Sequence, residues 1–172
     1  MLCVIQTSTH RKAVTRQMKY RQTPHHLFNS NLQARPKNAG AIWRTLCWVN
    51  DQVAISGDLS NFESEALVQL NEWIDQGITD IIDLRGEASD EQFVAQHAPH
   101  IRYHWLGVDD EGDRRSDEWF EAIEAAAQLV LQDPNRKVVI HCHMGVNRGP
   151  SAAFTALITN GVDPIQALTQ IR

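Results

Sequence analysis

A short β-branched run that leads into a cysteine-bearing loop and then a helix constrains this 172-residue chain most. Lys137-Val138-Val139-Ile140, bounded upstream by Asp133-Pro134-Asn135, reads as a buried strand. Pro150 to Ile158 reads as a helix. Pro150 suits its first turn, where a missing N–H costs nothing, and Asn160-Gly161 ends it. Between them lies His141-Cys142-His143-Met144-Gly145-Val146-Asn147-Arg148, in which a cysteine and an arginine bracket five residues. A loop from a strand end to a helix start gathers backbone N–H groups, and the helix dipole adds positive partial charge there. Such a place suits an anion. The same field favours thiolate at Cys142. Arg148 presents a planar fork that grips two oxygens in a way lysine does not. Gly145 lets the backbone come close. The arrangement suits a sulfur nucleophile attacking phosphorus. His141, Cys142 and His143 could also be metal ligands, but successive strand residues alternate faces and would not converge on one ion, so no metal is expected.

A proton must reach the leaving oxygen of a phosphate monoester, so a carboxylic acid is needed opposite the sulfur. Ile101 to Val108 reads as a strand, and Asp109, Asp110, Glu111 and Asp113 follow it in a loop. The carboxyl end of a strand is where an α/β site is expected. Asp83-Leu84-Arg85 ends another strand and either supports the site or forms a structural ion pair.

His-Cys, five residues and Arg resembles the signature loop of the cysteine-dependent protein tyrosine phosphatases, and the flanking sequence is most similar to the dual-specificity branch. The resemblance implies Cys142 as nucleophile and Arg148 as the oxyanion grip. His143, Met144, Gly145, Val146 and Asn147 would then line the phosphate cradle, and His141 would orient the loop and tune the thiolate. It singles out Asp110 as the acid, because Trp119-Phe120 stands nine residues beyond it, as in the family. The implied reaction passes through a cysteinyl-phosphate, needs no cofactor, and has a mildly acidic optimum because thiolate and protonated Asp110 must coexist. One position departs from the family. A serine or threonine usually follows the arginine and steadies the departing thiolate. Here that place is Gly149, with Ser151 two residues later, so the second step is expected to be slower unless water or Ser151 substitutes.

The rest of the chain reads as strands alternating with helices. Leu46–Val49 and Val53–Ile55 form a hairpin or sheet edge. Ser60-Asn61-Phe62-Glu63 has the form of a capping box. Ser89 and Ser116 open helices, and Asp163-Pro164 starts the last one. This order predicts an α/β three-layer sandwich, a central mostly parallel sheet flanked by helices, over residues 45–172. Cys47 is expected to be a small core residue, and His97, His100 and His104 surface residues.

Charge divides the chain. Residues 1–44 hold eight Lys or Arg and no acidic residue, leaving eight basic against 21 acidic in the remainder. This basic leader is expected to be disordered, and four readings stand for it: an organelle transit peptide, a nucleic-acid or acidic-surface tail, a tether folding back on the acidic domain, or a stretch upstream of the natural translation start. Three cysteines without framework spacing favour a reducing, cytoplasmic setting, with organelle targeting through the leader as the alternative. No run reaches membrane-spanning length. The expected partner is a phosphorylated protein carrying phosphotyrosine or phosphoserine/phosphothreonine, and the expected state a monomer. Two alternatives stand. Gly145-Val146-Asn147-Arg148 resembles the loop of metal-independent RNA triphosphatases, although the acidic domain repels a polyanion. Gly149 permits a phosphate-binding pseudophosphatase.

Overall fold

The computed structural model describes residues 42–111 and 114–171. Cys47–Trp48 (β1), Val53–Ser56 (β2), Asp80–Arg85 (β3), Arg102–Val108 (β4) and Val138–His141 (β5) form one sheet in the order β1-β2-β5-β3-β4. β1 pairs antiparallel with β2, and every other pairing is parallel. The helices are Glu63–Asp75 (α1), Glu91–His97 (α2), Asp117–Leu131 (α3), Arg148–Thr159 (α4) and Pro164–Ile171 (α5), with a short 3-10 turn at Ile42–Arg44.

Side chains alternate along the strands, so each strand feeds two cores. Val53, Ile55, Ile82, Leu84, Val138 and Ile140 face Trp119, Ile123 and Ala127 of α3 and Ala152, Ala153 and Ala156 of α4. Ala54, Ile81 and Val139 face the other way, onto Leu70 and Trp73 of α1 and Val94 of α2. Burial on both faces suits the apolar run Val138-Val139-Ile140 of β5, whereas β3 is buried throughout although Asp80, Asp83 and Arg85 are charged. The expected three-layer α/β sandwich with a mostly parallel sheet is the fold observed.

Several local expectations need correction. Ser60 is not the cap of α1, which starts from Phe62. The Ser60 amide donates to Gln69 (3.2 Å) and its hydroxyl to Glu65 (2.7 Å), which draws the residue out of the capping position. α4 begins at Arg148, two residues before Pro150, and the proline is tolerated because first-turn amides have no helical acceptor. Cys47 is exposed, because it sits on a two-residue edge strand whose Trp48 is the residue that packs inward. His104 is half-buried, with Nε2 3.6 Å from Asp80. Ser116 does cap α3, accepting from the Trp119 amide. Gly161, at φ +84°, ends α4 as expected.

Residues 1–41, most of the expected leader, lie outside the described residues, as do Gly112 and Asp113. Trp43 and Arg44 hold against the domain. The Trp43 carbonyl accepts from the Gly57 amide (2.5 Å), and the Arg44 guanidinium lies 3.2 Å from the Asp58 carboxylate. Among the described residues no helix is long and apolar enough to cross a membrane.

Ile123 is fully buried between α3 and the sheet. Ile123→Ala should destabilise the fold by about 3 kcal/mol through lost burial and a residual cavity, read as a lower urea midpoint with unchanged slope.

Candidate active site

β2, β5, β3 and β4 run in one direction, so their carboxyl ends share one edge of the sheet. Ser56-Gly57-Asp58, Cys142, Arg85-Gly86-Glu87 and Val108-Asp109-Asp110 all lie at or just past strand ends there. The Cys142–Arg148 loop leaves the central strand β5 and turns directly into α4. Gly145 has φ +69°, and a Cβ on it would lie 2.8 Å from the Ser56 backbone, so only glycine passes at this point. Among the described residues, the N–H groups of His143 to Arg148 donate to no backbone or side-chain acceptor. Unpaired amides at a helix start are an anion-binding feature.

The Arg148 side chain is buried, and its contacts define which edge is free. Glu87 takes Nη1 at 2.7 Å and Nη2 at 2.8 Å, a bidentate pair. Nη1 also donates to the carbonyls of Val108 (2.9 Å) and Leu84 (3.3 Å). Nε is buried without a hydrogen-bond partner. The Nε–Nη2 edge is therefore the one left to meet an oxyanion. The hydrogen bond from Arg148 holds the Glu87 carboxyl down at about 2, and the same contact raises the guanidinium.

Asp110 sits across this edge. One of its oxygens accepts from Asn147 Nδ2 at 2.5 Å, and the other stands 3.5 Å from Arg148 Nε. Arg115, whose side chain is largely buried, approaches the first oxygen at 3.5 Å. The structure thus brings Asp110, Asn147 and Arg148 together. Asp109 is exposed, and its Oδ1 lies where a Cβ on Gly86 would come within 2.9 Å.

Cys142 is buried at 2% exposure. A Cβ built on Gly149 would stand 3.8 Å from its sulfur and 3.1 Å from Ile55 Cγ2. Position 149 is therefore the place from which a hydroxyl would reach the sulfur. Ser151 does not supply one by way of a free hydroxyl, because its Oγ donates to the Asn147 carbonyl (3.0 Å). Met144 and Val146 are exposed apolar rim residues.

His141 is fully buried on the α1 side of the sheet, 5.7 Å from the Trp73 ring, and neither ring nitrogen has a hydrogen-bond partner. Burial pushes it down to about 4, against the pull of the Asp83 carboxylate 3.8 Å away. Asp83 belongs to a buried ion-pair group. Arg85 binds it in a bidentate pair (3.0 and 2.9 Å) and also holds Asp90 (2.5 Å), while Tyr103 donates to Asp83 (2.5 Å). Burial alone would raise the Asp83 carboxyl, yet the Arg85 hydrogen bond leads the contacts that bring it below its usual value. Asp83, Asp90 and His141 are close enough to share a cation, but the Arg85 guanidinium already fills that role.

Asp58 and Glu87 are the site residues that the sequence did not announce. The Asp58 carboxylate, nearly buried, lies 2.8 Å from His143 Nδ1, and its amide donates to the His143 carbonyl (3.1 Å). A Cβ on Gly57 would fall 2.6 Å from Trp43 and 3.1 Å from the His143 carbonyl. The same strand-end rule that flagged Asp110 would have flagged Glu87, two residues past β3. Asp58 carried no signal beyond an ordinary Gly-Asp turn.

The fold is similar to that of solved tyrosine and dual-specificity phosphatases. Tk-PTP in its active form superposes with a TM-score of 0.58 at 17% identity, over 76% of this chain and 84% of that one. Human DUSP28 gives 0.58 at 14% identity, over 73% and 78%. P. aeruginosa TpbA gives 0.51 at 21% identity, over 73% and 71%. The Rhodanese-like domain model matches residues 66–169, and the chain belongs to that family, whose domain is the same type of fold. No curated protein matches the chain.

His141 yields a pH prediction. Its folded value is depressed, so the unfolded chain binds the extra proton between the ordinary 6.5 and about 4. Stability from this group is complete above 6.5 and is lost as pH falls toward 4, by roughly 3 kcal/mol at about 1.4 kcal/mol per pH unit. Urea midpoints should fall across that window in the wild type and less steeply in His141→Phe. Identical slopes would show that another group carries the effect.

Proposed function

We propose that the chain hydrolyses phosphate monoesters on proteins, taking phosphotyrosine and phosphoserine/phosphothreonine. The observation that carries this is a buried sulfur at the base of a loop whose amides are unpaired among the described residues, with Arg148, whose buried Nε has no hydrogen-bond partner, at the loop's other end. Those donors match the equatorial oxygens of a phosphoryl group. The likeness to solved protein phosphatases supports the same reading. The apolar rim at Met144 and Val146 favours an uncharged peptide surface around the phosphoresidue over a polyanion.

In the first step the Cys142 thiolate attacks phosphorus. The S–P bond forms as the P–O bond to the alcohol breaks, and Asp110 gives its proton to the leaving oxygen. In the second step water attacks phosphorus and gives its proton to Asp110, and the S–P bond breaks to return thiolate and inorganic phosphate. Arg148 holds the phosphoryl oxygens in both steps, and Glu87 fixes the rotation of the guanidinium. Residues of this chain suffice, with no metal in either step.

A panel of phosphopeptides, nucleotides and phospholipids, with Cys142→Ser as the blank, tests the proposal. Phosphopeptide turnover should dominate and vanish in the variant. Turnover that survives Cys142→Ser would defeat it. Gly149→Ser places a hydroxyl beside the sulfur, and Ile55 must yield by a few tenths of an ångström to admit it. If thiolate departure limits turnover, this variant should shorten the life of a trapped cysteinyl-phosphate in quenched flow.

A further inference from the structure

The carboxylate expected to carry the proton is held by an unusual set of neighbours. Arg148 Nε from α4 and Arg115 Nη2 from the segment before α3 both stand 3.5 Å from Asp110. Asp109 and Glu111 flank it in the chain, and Glu87 occupies the far edge of Arg148. Guanidinium groups only donate hydrogen bonds. They suit an ionised Asp110 and offer nothing to the O–H of a protonated one. Asn147 differs. Its carboxamide donates through Nδ2 and accepts through Oδ1, and a half-turn of the amide exchanges the two.

The backbone of Asn147 is fixed independently of this contact. It precedes α4, and its carbonyl accepts from both the Ser151 amide (3.3 Å) and the Ser151 hydroxyl (3.0 Å). The side chain extends from that anchored position to Asp110 at 2.5 Å, joining two loops 37 residues apart in sequence. We propose that Asn147 is a positioning residue for Asp110, latching the loop after β4 to the Cys142–Arg148 loop whether or not Asp110 carries its proton. In the proton-loaded state the amide accepts from Asp110, and after transfer it donates to the carboxylate. The site thereby keeps one geometry through both half-reactions. The inference rests on the reading of Asp110 as general acid and assigns the Asn147 side chain to that acid, where the family resemblance would leave it lining the cradle.

The test measures kcat/KM of the full chain on p-nitrophenyl phosphate, which leaves readily, and on a phosphoserine peptide, which needs the proton. The proteins are wild type, Asn147→Ala, Asn147→Asp, Asp110→Asn and the Asn147→Ala/Asp110→Asn double variant. Asn147→Ala should lose about 10- to 100-fold on the phosphoserine peptide, the size of one charge-assisted hydrogen bond, and only a fewfold on the aryl ester. Asn147→Asp keeps the shape but sets two carboxylates against each other, so it should be worse than Asn147→Ala. A merely structural side chain would tolerate the isostere better. In the Asp110→Asn background, Asn147→Ala should add little. Equal losses on both esters, or an additive double variant, would overturn the latch while leaving the acid in place. An Asp110→Asn enzyme with unimpaired peptide turnover would remove the acid and the latch together. Wild-type inactivity on both esters would instead overturn the hydrolase reading itself.

Discussion

The candidate site is organised around one buried guanidinium. Arg148 starts α4, so the helix fixes where its side chain emerges, and Glu87 with the Val108 and Leu84 carbonyls fixes how it turns. A buried arginine without such partners would carry a large desolvation penalty. With them, it is held rigid along one edge and left unsatisfied along the other. That asymmetry leaves room for an oxyanion to complete the guanidinium's hydrogen bonding. It also explains why three strand ends must meet: β3 supplies Glu87, β4 supplies Val108 and Asp110, and β5 supplies Cys142.

Beneath the loop, polarity is handled in a second way. Asp83, Arg85, Asp90 and Tyr103 satisfy one another in a compact group, while His141 beside them remains neutral and unpaired. Parity along β5 places His141 on the α1 side and Cys142 on the α3–α4 side. The sulfur is therefore separated from the ion-pair group by the thickness of the sheet. The imidazole contributes shape and buried aromatic contact next to Trp73, and its charge is suppressed by burial.

The central features of this fold were legible because they are contiguous in the chain. A strand, a loop with one glycine and a helix read directly from Val138 to Thr159, and alternation of strands with helices gave the layers. The strand end offered Asp109, Asp110, Glu111 and Asp113 alike, and only the family resemblance singled out Asp110. Asp58 and Glu87 were harder, since they meet the loop from 85 and 61 residues away and nothing local marks their partners. Ser60 misled because a capping pattern is only four letters, and its amide and hydroxyl were claimed by Gln69 and Glu65 from within α1. Cys47 misled because a short apolar run does not say which of its residues lies on an open edge.

Gly57 is pressed between the Trp43 carbonyl on one side and the His143 carbonyl on the other, and Asp58 next to it is shared by Arg44 and His143. The wall of the site is thus finished by residues that composition alone assigns to the basic leader. Trimming the gene at residue 45, the boundary that charge would recommend, would strip an acceptor from the Gly57 amide and a counter-charge from Asp58. A shortened protein made that way would carry its defect directly behind the Cys142–Arg148 loop.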